Sequence, residues 1–178
     1  LVSKFGIQLM KGLQKGGMLA TAKHFPGHGD TETDSHSSLA MIPSDSLRLW
    51  ETELRPFKSM IDNNVDAIMV AHIHAPDYQD DSDRPASMSG FWINDVLKSR
   101  MNFNGTVVTD AMEMGGIVKN YSDDFALIET IKAGANVIIQ NHNLKRSIDV
   151  VEQAVINGEI PMEVIDKSAL KMLKMKQK

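Results

Sequence analysis

The chain contains no cysteine, which excludes disulfides, thiol catalysis and cysteine-ligated zinc while leaving the cellular compartment open. It has no run approaching the ~20 consecutive apolar residues of a membrane-spanning helix. Positive charge is in deficit: 19 Lys and Arg stand against 23 Asp and Glu, for a net charge of −4. That balance argues against nucleic acid or an anionic membrane as the main partner. Neither GxGxxG nor GxxxxGKS/T occurs, so an open nucleotide-binding sheet loses its usual fingerprint. The first ten residues, LVSKFGIQLM, lack the charged start, apolar centre and cleavage site of a secretion signal. They read as the inside of a helix, and the chain is expected to begin partway through a larger domain.

What is present is an ordinary globular composition, 42% apolar and 24% charged over 178 residues, enough for one domain with a core. Two kinds of segment alternate. Short apolar runs at 16–25, 65–73, 104–111 and 134–140 are β-branched or rich in Ala and Met, without strict polar alternation. Strands buried on both faces of a parallel sheet have this pattern. Helical spacing occupies 44–63, where Pro56 is expected to kink the helix, then 89–101, 123–134, 144–158 and the tail from Pro161. Trp50, Trp92 and the Met-rich tail are expected to pack in the core or between helices. Crossover units of this kind build a parallel α/β sheet. Polar residues gather after each strand: Lys23 to His36, His72 and His74, Asp110, then Asn141 and His142. A polar C-terminal face favours a (β/α)8 barrel. Four strands account for half of one.

Three clusters could carry chemistry, and each has two readings. In Asp34-Ser35-His36, a carboxylate holding the imidazole proton makes a general acid or base near neutral pH; the plain reading is a surface loop. Asp110 directly follows the β-branched run TVVT. It is either a nucleophile or charge stabiliser at the mouth of the site, or the cap of the next helix. His72 and His74, at a strand end, suggest a metal centre completed by His24, His28 and Asp110; the plain reading is a pair of hydrogen-bonded histidines.

Taken together, ATAKHFPGHGDTETDSH, AIMVAHI and FNGTVVTDAMEM resemble glycoside hydrolase family 3, in particular its β-N-acetylglucosaminidases acting on peptidoglycan fragments. The resemblance covers nearly the whole chain, and the KHFPGHGDT…DSH block is highly specific. It implies a TIM-type barrel, retaining hydrolysis and a carbohydrate substrate, with no cofactor or metal. It places residues 1–178 on strands five to eight, so the N-terminal half of the barrel becomes an expected partner. It further implies that Asp110 is the nucleophile, His36 the general acid/base, and Asp34 the residue that orients His36. Lys23 and His24 match residues that hydrogen-bond sugar hydroxyls. A His–Asp dyad departs from the paired carboxylic acids of most glycosidases. Because His does not repel phosphate as a carboxylate would, phosphorolysis stands as a near alternative, as does an inactive half awaiting its complement.

Overall fold

The computed structural model describes residues 1–29, 40–41, 48–75, 78, 84–139 and 143–177. Four parallel strands form the main sheet: β1 (Thr21–Phe25), β3 (Ala67–Val70), β5 (Thr106–Ala111) and β6 (Val137–Ile139), in that spatial order. Spatial neighbours are thus successive in the chain, as expected for a barrel-type sheet. A second, two-stranded sheet joins β2 (Ala40–Met41) to β4 (Ile73–His74), also in parallel. His74, expected at a strand end, pairs with Met41 in this small sheet.

One face of the sheet packs on helices. Phe25, Ile68, Val70 and Val107 are fully buried there. Phe25 meets Phe57 edge-on at 5.4 Å and Trp92 at 6.0 Å between ring centroids, the arrangement aromatic quadrupoles favour. On the other face, the register partners Met69 and Val108 are only half-buried, and Asp110 follows two residues on. Alternation along a strand puts Asp110 on that same open face.

The helices obey local rules. Asp123–Ala133 opens on a Ser122 cap that accepts from the Phe125 amide, and ends at Gly134 with φ +104°, the left-handed C-cap that glycine adopts freely. Leu144–Ile156 opens on Asn143, whose side chain accepts from the Arg146 amide at 3.0 Å. Pro56 lies inside helix Leu54–Ile61, and the turn before it, Leu49–Glu53, winds in the wider π form. Widening gives the ring room it would lack against an α-helical turn. Of the residues expected in the core, Trp92 is buried, but Trp50 is 37% exposed. Helix Met162–Met175 buries no residue at all. Trp50 is therefore a surface feature, whereas the tail packs through one face, with Val164 and Ile165 half-buried against Leu127, Ile131 and Ile160.

Candidate functional site

The C-terminal ends of the parallel strands bring three of the expected residues to one edge of the sheet. Lys23 and His24 lie on β1, and Asp110 lies near the end of β5. His24 Nε2 is 3.7 Å from Asp110 Oδ2, with the two side chains 30% and 18% exposed. Oδ1 of Asp110 accepts from the Ala111 amide at 2.9 Å. The two oxygens are thereby distinguished: one is held by backbone, the other turned toward an imidazole and open space. Asp110 does not cap a helix, since the next one begins at Gly115 with Met114 in the cap position. Asp34 and His36 lie outside the described residues, as do Asn141 and His142.

β1 ends in an irregular stretch. Its register with β3 shifts between Ala22 and Phe25, and the Lys23–His24 and Phe25–Pro26 peptide bonds are cis. Lys23, His24, His28, Arg48 and Glu53 line a cavity of about 430 Å³ at this point. Glu53 sits on the π-helical turn, its side chain 8% exposed and 3.5 Å from Arg48. Gly27, with φ +138°, lies flat against it, and a Cβ there would fall 2.7 Å from the Glu53 Cβ. Nothing in the sequence pattern singles Glu53 out. A larger cavity of about 660 Å³ lies elsewhere, an apolar groove flanked by Leu127, Leu144, Ile148 and Met162. It contains none of the strand-end polar groups and is not the candidate site.

His72 is fully buried at the end of β3. Its Nε2 is 3.0 Å from the Ala111 carbonyl and its Nδ1 is 2.7 Å from Ser87 Oγ. A carbonyl only accepts, so Nε2 carries the proton and Nδ1 accepts from the Ser87 hydroxyl. Burial outweighs the Ala111 hydrogen bond and the Asp110 charge, pushing the imidazole below its ordinary 6.5, which keeps it neutral. With both nitrogens engaged, His72 has no lone pair for a metal. Among the described residues, no three His, Asp or Glu gather closely enough to hold one. The metal cluster of the alternative reading is therefore not assembled among the described residues, and His72 is the hydrogen-bonded strand-end histidine of the plainer one.

A parallel α/β sheet of barrel type, with a carboxylate and a histidine facing each other across its strand ends, has its polar groups where (β/α)8 barrels carry their active sites. Residues 1–175 match the family model "Glycosyl hydrolase family 3 N terminal domain", and the chain belongs to glycosyl hydrolase family 3. A β-hexosaminidase from Methylobacillus flagellatus is 33% identical over 140 residues, 78% of this chain and 39% of that protein. A family 3 β-N-acetylglucosaminidase structure from a Paenibacillus strain superposes with TM-score 0.93 at 38% identity, over 98% of this chain and 34% of that one. Zinc-bound CbsA from Thermotoga neapolitana superposes with TM-score 0.85 at 34% identity, over 91% of this chain and 36% of its own. The chain thus spans about two-fifths of the length of the curated relatives it matches.

Proposed function

We propose that residues 1–178 form part of the catalytic barrel of a retaining glycoside hydrolase that removes terminal β-linked N-acetylglucosamine, peptidoglycan-derived fragments included. Asp110 attacks the anomeric carbon and forms a glycosyl ester. His36, oriented by Asp34, protonates the leaving oxygen and then deprotonates the incoming water. Lys23 and His24 hold sugar hydroxyls beside the reacting carbon. The observation that carries this reading is the 3.7 Å approach of His24 Nε2 to Asp110 Oδ2: a group suited to a hydroxyl stands beside a carboxylate whose other oxygen is already anchored. In this reading the four parallel strands, with β1 and β6 at the edges, are strands five to eight of the barrel, completed by an N-terminal half.

Asp110→Ala in the complete enzyme is expected to abolish turnover on β-N-acetylglucosaminides. A slow fluorinated glycoside, followed by peptide mass mapping, should label residue 110 in the wild type. Labelling elsewhere would overturn the assignment. Release of sugar 1-phosphate in phosphate buffer would keep the nucleophile and replace hydrolysis by phosphorolysis.

A further inference from the structure

The pairing of β5 with β6 loses its regular register between Val108 and Ala111, the stretch that contains Asp110. An irregularity of this kind re-aims a side chain but also loosens the ladder that should fix it. Other groups replace the ladder here. Thr109 Oγ1 accepts from the Ile139 amide at 3.2 Å, and the Met112 amide donates to the Ile139 carbonyl at 3.0 Å. From the opposite side, His72 Nε2 donates to the Ala111 carbonyl. Behind it stands Ser87, itself fully buried, whose amide bonds to the Ala71 carbonyl at 3.2 Å. Hydrogen bonds therefore run from Ser87 Oγ through the His72 ring to the Ala111 carbonyl, and the amide of that same residue, joined to the carbonyl through its Cα, donates to Asp110 Oδ1.

We propose that the buried Ser87–His72 pair is a positioning device for Asp110, pinning the residue after it so that one carboxylate oxygen stays anchored and the other stays aimed at the site. The proposal rests on the reading of Asp110 as nucleophile. If Ala111 could rotate, its amide would turn away from Oδ1 and the carboxylate would swing with it. Neutral His72 suits this task because it donates from one nitrogen while accepting at the other, so Ser87 fixes which nitrogen carries the proton. His72 does not touch the sugar in this scheme. It acts through Ala111, and its effect belongs to the bond-forming step rather than to ground-state binding.

The test uses the complete enzyme and reads the rate at which a slow fluorinated glycoside accumulates on Asp110, alongside the Kd of a non-hydrolysable sugar inhibitor. His72→Leu should slow trapping by about 10²-fold, the scale of a misplacement near 1 Å, with the Kd changed by less than about threefold. His72→Gln, which can still donate to Ala111, should recover to within about tenfold of wild type. Ser87→Ala should fall between, since it frees the other tautomer. Should His72→Leu fail to fold, the Gln and Ser87 variants decide. A lowered Tm with unchanged trapping, at a temperature where all variants are folded, would reduce the pair to structural packing and overturn the proposal. Failure of Asp110→Ala to abolish activity is a separate outcome: it removes the nucleophile assignment, and this proposal with it.

Discussion

A glycosidic oxygen that leaves as a sugar alkoxide needs a proton as the bond breaks, whereas a nitrophenolate departs largely unaided. His36→Ala should therefore slow cleavage of natural disaccharides by ~10²–10⁴, the span of a positioned general acid. Single-turnover glycosylation by aryl glycosides should fall much less, and equal losses on both would reduce His36 to a sugar contact. Activity is expected to survive EDTA, because His72 spends both nitrogens on Ser87 and Ala111; loss that zinc restores would return the site to metal chemistry. His72 also sets a pH dependence of stability. Unfolded, the ring takes up a proton as pH falls through about 6.5, while burial makes the folded ring resist to lower pH. The unfolded chain then binds more protons, so stability declines as pH drops through that window. Calorimetric Tm should fall from about pH 7.5 to about pH 5, and less steeply in a folded His72→Gln variant. Lys23, His24 and Asp110 were legible as strand-end polar groups because position along a strand is a local property. The partners of His72 were not, since Ser87 and Ala111 stand 15 and 39 residues away and no periodicity links them.

At the scale of elements, the four main strands and the main helices were readable from short apolar runs and helical spacing. The two-residue strands β2 and β4 were not, because two residues carry no period. The burial of Trp50 was misjudged for a related reason: helical spacing shows that an apolar face exists, not that something covers every residue near it. The junction of Gly27 with the π-helical turn was equally invisible, being a contact between distant segments. It carries a prediction. Gly27→Ala imposes both a conformation L-residues avoid and a Cβ within 2.7 Å of Glu53, and should cost about 3 kcal/mol. Chemical denaturation of the complete enzyme measures this. The same variant should weaken inhibitor binding, since the displaced backbone borders His24 and His28; full affinity would mean that the β1 loop tolerates movement.

At the scale of the molecule, the sheet has two edges and apolar surface near each end. Val2, Phe5 and Leu9 are exposed on helix Val2–Lys15, which packs beside Leu54–Ile61; Leu144, Ile148, Ile156 and Met162 are exposed around the groove near β6. Patches of this kind associate when left uncovered. Residues 1–178 produced alone should bind a hydrophobic dye and self-associate in light scattering, and the N-terminal half supplied in trans should suppress both. A monodisperse, dye-silent 1–178 would remove the case for a missing half. The strand order has a consequence for synthesis. Each strand of the main sheet pairs with the main-sheet strand made just before it, so no central position waits for a segment still inside the ribosome. The sheet can grow outward from β1 as the polypeptide emerges, each new strand adding to an edge already in place. In a complete barrel, only the closing seam would have to join strands translated far apart.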